Sequence, residues 1–66
     1  MDRKRIGERL VKLRGNRTQE QVAKALGIST SALAMYESGK RVPRDEVKLA
    51  IAEFYKSSIQ EIFFAA

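Results

Sequence analysis

TQEQVAKALGISTSALAMYESG, Thr18 to Gly39, reads as two short helices joined by a tight turn, and the rest of the chain is organised around that reading. Thr18 and Gln21 stand at the spacing of a capping box, in which the Thr hydroxyl and the Gln side chain each satisfy a helix N–H that otherwise lacks a partner. A helix is therefore predicted to start at Thr18. Val22, Ala23 and Leu26 share one face, and Gly27 follows where a left-handed residue ends the helix, since glycine has no Cβ to clash at positive φ. Ile28 turns back inward as a staple, Ser29 caps the next helix, and Leu33 with Tyr36 form that helix's buried edge. Thr30, Ser31, Ala34, Met35 and Ser38 are left on its outer face.

Upstream, Ile6, Leu10 and Leu13 recur at i, i+4 and i+7, which predicts an amphipathic helix over Arg3 to Arg14. Gly7 inside it costs roughly 1 kcal/mol against Ala, a cost that makes sense where another backbone must come close. Downstream, Gly39 to Pro43 is a loop, because Pro43 disfavours helical geometry at Val42. Asp45 and Glu46 then open a fourth helix, with Val47, Ala50, Ile51 and Phe54 as its inner stripe, running to about Tyr55. Ser58 and Glu61 repeat the capping-box spacing and predict a last short helix holding Ile59, Ile62 and Phe63. With no strand pattern, repeat or low-complexity segment, the expectation is one all-α, five-helix domain over residues 1–66.

Composition narrows the function. A 66-residue chain buries only about 60% of the surface its unfolded form exposes, so a partner subunit helps its stability. Without Cys or His, disulfides, thiolate metal sites and the usual zinc and general-base arrangements are missing. Neither catalysis nor a cofactor, metal or small-molecule substrate is implied. No apolar run approaches the ~20 residues that span a bilayer, and the charged start is unlike a secretory leader, so a cytoplasmic protein is expected. The net charge of +5 is lopsided: residues 1–17 hold seven Lys or Arg against Asp2 and Glu8, while residues 18–66 hold six of each sign. Such a basic end suits a polyanion, either nucleic acid or an anionic membrane surface, or is simply a well-solvated helix face.

The order of small, apolar and glycine positions resembles the helix-turn-helix of the phage repressor and Cro (XRE) family of DNA-binding regulators. The likeness runs from Gln19 through Ala23, Gly27, Ile28, Leu33 and Tyr36 to Glu37-Ser38-Gly39-Lys40. It extends to Ile6-Gly7-Glu8-Arg9-Leu10 with Arg14, and to Ser58-Ile59-Gln60-Glu61-Ile62-Phe63. It implies a lambda-repressor-like fold and a transcriptional regulator, a repressor, that binds double-stranded DNA as a homodimer at a two-fold-related operator. Two positions depart from the pattern. Gly15-Asn16-Arg17 is about two residues shorter than many relatives' connection, and Lys56 stands where relatives often end helix four with Gly or Asn. A left-handed Lys56 costs roughly 1–2 kcal/mol.

In such a motif the second helix lies in the major groove with its N-terminal residues at base edges. Thr30 and Ser31 can bond either kind of edge, whereas Ala34 and Met35 offer apolar contact suited to a thymine methyl. Met35 is alternatively core filler. The face has no Arg, Lys, Asn or Gln, so part of the specificity is expected from DNA shape. By the resemblance, Gln19 bonds a phosphate at the start of helix two, though an ordinary solvated Gln fits the sequence too. Lys40, Arg41 and Arg44, in and after the loop that follows the recognition helix along the duplex, are placed to meet the backbone or a minor-groove edge, though each alone fits plain surface charge equally well; with Arg14, Gln19, Ser29 and Ser38 they make up the expected backbone-contacting set. Arg14 and Glu37 stand where many relatives pair an Arg on helix one with a Glu ending helix three, a pair worth about 0–1 kcal/mol if exposed. Ile59, Phe63 and Phe64 either close the core or supply the dimer contact that the family commonly places on its last helix.

The rival reading is a protein-binding antitoxin or assembly adaptor on the same fold. Many antitoxins add a toxin-covering segment, and here only Ala65-Ala66 follow Phe64, which favours the regulator. Membrane-surface binding through helix one is disfavoured because its stripe lacks large aromatic residues.

Overall fold

Short-range polar chemistry sets where each helix begins. In the computed structural model, which describes residues 2–65, α1 is Arg3–Arg14, α2 Gln19–Leu26, α3 Thr30–Glu37 and α4 Asp45–Phe54. A fifth, terminal helix over Gln60–Phe64 is wound in the wide π form, and no strand occurs among the described residues. Asp2, which the sequence pattern did not single out, caps α1 by accepting from the N–H groups of Lys4 at 3.1 Å and Arg5 at 3.3 Å. The predicted box at α2 is complete: Gln21 N–H donates to Thr18 Oγ1 at 3.1 Å and Thr18 N–H to Gln21 Oε1 at 2.9 Å. Ser29 Oγ accepts the Ala32 N–H at 3.0 Å, and Gly27 is left-handed at φ 72°. The second box also forms, with Glu61 N–H donating to Ser58 Oγ at 3.0 Å.

Lys56 adopts the strained conformation, at φ 53°. The wrap it allows satisfies the end of α4, since Lys56 N–H bonds the Glu53 carbonyl at 3.2 Å and Ser57 N–H the Ala52 carbonyl at 3.0 Å. Hydrogen bonds to carbonyls that the helix leaves open offset the roughly 1–2 kcal/mol of backbone strain.

Two apolar clusters hold the helices together. Ile6, Leu10, Tyr36, Ile51, Ala52, Ile62 and Phe63 form one; Val22, Ala23 and Leu33 form the other, with Leu26, Ile28 and Tyr55 packed against both. Gly7 lies where α1 meets the end of α3, and a Cβ there would stand 2.9 Å from the Glu37 carbonyl carbon and 3.0 Å from the Tyr36 carbonyl oxygen. The expected close approach of a second backbone is thus real, and it fixes how α3 is carried.

Two expectations change. In α4, Val47, Ala50 and Phe54 are only half-buried, while Lys48, 7% exposed, and Ala52 join Ile51 inside. The Lys48 stem lies inward and its ammonium reaches Asp45 at 3.6 Å and the rings of Phe63 and Phe64 at 5.8 and 5.3 Å, as long cationic side chains can when only the head stays polar. Phe63, named among the dimer contacts, is 1% exposed. It closes the core, because the π turn directs Ile62 and Phe63 together onto α1 and α4, and only Ile59 and Phe64 remain near the surface.

Candidate nucleic-acid interface

The inner edge of α3, Leu33 and Tyr36, is anchored in the core, which turns its other side outward. Thr30 and Ser31, in the first turn, are exposed, and Ala34 and Met35 further along are half-buried. Met35 is half-buried, and among the described residues it belongs to neither core cluster. Its carbonyl accepts from Ser38 Oγ at 3.2 Å and from the N–H groups of Lys40 at 3.0 Å and Arg41 at 3.3 Å, which ties the following loop to the helix end. Eight helical residues are about 12 Å long, and the major groove of B-DNA is about 12 Å wide. The face presents hydroxyls and small apolar groups, matching base edges and thymine methyls but offering no bidentate donor.

The other end of α3 is ionic and enclosed. Arg14 Nε donates to Glu37 Oε2 at 2.8 Å, and Gln19 Nε2 donates to Glu37 Oε1 at 2.8 Å. The side chain of Glu37 is 3% exposed and that of Arg14 20%, so the value for an exposed pair does not apply. Removing one partner from a pair this enclosed leaves a charge without compensation, which costs more than the pair itself contributes. Gln19 is therefore not an ordinary solvated side chain: one amide N–H is committed to Glu37, and the second N–H is left to donate to an anion. Arg14 is held further by Nη1 donating to the Arg17 carbonyl at 2.7 Å.

Arg17 explains how the short connection works. Its Nε and Nη2 donate to the carbonyls of Arg14 at 3.2 Å and Leu13 at 2.9 Å, capping the end of α1. Its guanidinium also lies 5.2 Å from the Phe54 ring and 5.3 Å from the Tyr55 ring, which meet edge to face. One side chain thus clamps the end of α1 onto the end of α4. Burial pushes the Tyr55 phenol above its ordinary value of 10.0, and the negative charge of Glu37 adds to this while Arg17 and Arg14 oppose it.

Cations flank the α3 face. Lys40, Arg41 and Arg44 are exposed, as are Ser29 and Ser38. Gly39, at φ 79°, sits so close to α1 that a Cβ would be 3.1 Å from Lys4 Cα and 3.2 Å from the Arg3 carbonyl oxygen. The exposed basic turn Arg3-Lys4-Arg5 therefore continues the Lys40–Arg41 ridge, although the two are far apart in sequence. On the other side of α3 stands the start of α2, whose first N–H groups have no partner inside the helix and favour an anion.

The C-terminal candidates divide. Phe64 is 55% exposed and Ile59 half-buried against the core. Arg9 ties this end to α1, Nη1 donating to the Ile62 carbonyl and Nη2 to the Ala65 carbonyl, each at 2.8 Å. Among the described residues no group of His, Cys, Asp and Glu is placed to hold a metal ion, and no helix is long and apolar enough to cross a membrane. Sequence reasoning missed Arg17, Tyr55 and Arg9 as organisers of these surfaces. Only the aromatic pair Phe54-Tyr55 beside a shortened connection hinted at the first two.

An anchored helix, a left-handed glycine turn and a second helix presented outward define a helix-turn-helix protein, and the chain belongs to the helix-turn-helix family, whose model matches residues 8–62. It is of the phage repressor and Cro kind. The transcriptional activator BcrR of Enterococcus faecalis is 40% identical over 59 residues, which are 86% of this chain and 29% of the activator. The transcriptional repressor RstR of the cryptic phage CTXphi in Vibrio cholerae is 40% identical over 60 residues, 88% of this chain and 54% of the repressor. A helix-turn-helix transcriptional regulator of Methanocaldococcus jannaschii is 40% identical over 48 residues, 73% of each chain. The chain thus spans about a third to three quarters of the relatives' lengths. No solved structure matches it at the same level.

Proposed function

We propose that this chain binds double-stranded DNA sequence-specifically, with α3 in the major groove, and regulates transcription as a repressor. The observation that carries the reading is the arrangement around α3: a neutral, outward face of groove width between a cationic ridge and the N-terminus of α2. Thr30, Ser31, Ala34 and Met35 read base edges in this account, and Gln19, Ser29, Ser38, Lys40, Arg41 and Arg44 hold the backbone. Arg14 acts mainly by fixing Glu37. One such helix reads only a few base pairs, so two copies are needed, joined through Ile59 and Phe64 and set about 34–36 Å apart on a two-fold-related operator. Repression is the sign given to the phage relative; a reporter gene behind the bound sequence measures it, and expression falls when the protein is supplied.

Duplex binding measured across salt concentrations tests the reading. A dimer making ~6–10 phosphate contacts gives log K falling with log salt at a slope of roughly −5 to −9. A flat dependence contradicts DNA binding. Sedimentation on and off the duplex gives the stoichiometry, and one copy on an asymmetric site contradicts the dimer.

A further inference from the structure

The cations in the first turn of α1 divide between two sides of the helix. Arg3 and Lys4 stand four and three residues before Gly7, so they share the face on which Gly7 meets the end of α3. Arg5 instead shares a surface with Glu8, Arg9 and Lys12 across the helix, and its guanidinium lies 3.9 Å from the Asp2 carboxylate. Backbone packing places the first pair. A Cβ on Gly39 would stand 3.1 Å from Lys4 Cα and 3.2 Å from the Arg3 carbonyl oxygen, so glycine permits an approach that sets Arg3 and Lys4 beside Lys40 and Arg41. The loop is held there, because the Lys40 and Arg41 N–H groups both bond the Met35 carbonyl.

No carboxylate neutralises this group. All four residues are exposed, and among the described residues their side chains make neither an ion pair nor a hydrogen bond. The acids near them are engaged elsewhere. Asp2 caps the Lys4 and Arg5 N–H groups, Glu8 lies with Arg5 across the helix, and Glu37 is enclosed with Arg14. Like charges held together repel one another, and a polyanion laid across them relieves that repulsion while releasing its own condensed counterions.

We infer that Arg3 and Lys4 form one phosphate-binding patch with Lys40 and Arg41, so that the first turn of α1 grips the DNA backbone beside the loop that follows α3. In the DNA reading, on which this inference rests, α3 is seated on α1 through Gly7. A grip from the first turn of α1 therefore helps set how α3 lies in the groove. Phosphate contacts position a protein without reading bases, so the patch contributes affinity and register and leaves sequence preference to the outer face of α3.

Arg3→Gln, Lys4→Gln and the double variant test this in the full chain, against Lys12→Gln, which removes the same charge from the other side of α1. Thermal melts, affinity for a selected duplex across salt concentrations, and selection from a random pool are the readouts. All three positions are exposed, so Tm should stay within about 4 °C of the wild type. Each single change at Arg3 or Lys4 should flatten the dependence of log K on log salt by about 1 for every copy bound, and the double change by about 2. Lys12→Gln should keep the wild-type slope, and every variant should select the wild-type sequence. Ethylating single phosphates locates the grip: a phosphate whose ethylation weakens the wild type should lose that effect in the double variant. An unchanged slope in the double variant, an equal flattening in Lys12→Gln, or an altered base preference overturns the inference and leaves the DNA reading standing. A wild type that binds no duplex refutes the DNA reading and this inference with it.

Discussion

The two ends of α3 are built on opposite plans. At the first turn Thr30 and Ser31 are neutral and exposed, held only by the Ser29 cap behind them. At the last turn Glu37 is charged, enclosed and bonded to both α1 and α2. A hydroxyl in solvent can meet whichever base edge arrives, because it has no commitment to break. A carboxylate in a low-dielectric enclosure enforces one geometry, because any other leaves it unpaired. In the proposed function the first turn of α3 is thus an adaptable reading end and its last turn a rigid aiming end, and changes at the two should have separable effects.

The heaviest blow to the aiming end is Gly7→Ala. Alanine ordinarily stabilises a helix interior by roughly 1 kcal/mol over glycine, but here the new methyl strikes the Tyr36–Glu37 backbone. Overpacking against main chain should destabilise by about 3 kcal/mol, or roughly 12–24 °C in Tm; an unchanged melt contradicts the placement of α3. Next comes Glu37→Ala, which leaves Arg14 and Gln19 without their acceptor. It should cost about 2–3 kcal/mol, less than a fully enclosed pair because Arg14 is partly exposed, and should weaken binding on every DNA sequence alike. Thr30→Ala and Ser31→Ala should shift stability by no more than about 0.5 kcal/mol while changing which sequences are preferred. If both sets behave alike, the contrast is wrong.

The smallest effect lies in the alkaline range. The unfolded chain releases the Tyr55 proton near the ordinary value of 10.0, whereas the folded chain holds it to higher pH. Below pH 10 both states keep the proton and stability is intact; as pH rises from there through the folded value, the unfolded state loses protons first and stability falls. Denaturation of the wild type and Tyr55→Phe compared above pH 10 should show a shallower decline in the variant.

The sequence made some of this contrast legible and hid the rest for a physical reason. Thr18 with Gln21, Gly27, Ser29 and Ser58 with Glu61 act within three or four residues of themselves, so helix starts and stops followed from local chemistry. The outer face of α3 followed from helical periodicity in the same way. The aiming end did not, because its burial depends on α1, α2 and α4 converging. Arg14 and Glu37 were paired only through a family likeness, and the bond that Gln19 adds to their enclosed pair left no local trace. The same limit applies to Phe63 and Lys48. An aromatic next to another in Phe63-Phe64 gives no sign of which is buried, and a lysine at a core-facing position is not betrayed by its charge.

The central claim is that α3 reads sequence through its first turn. Selecting bound duplexes from a random pool, in parallel for the wild type and Ser31→Ala, tests it most directly. The account predicts that the wild type enriches a two-fold-related sequence with half-sites ~10–10.5 base pairs apart. It also predicts that Ser31→Ala alters the preference at one symmetry-related pair of positions and keeps the spacing. No enriched sequence for the wild type, or identical preferences for the two proteins, contradicts it.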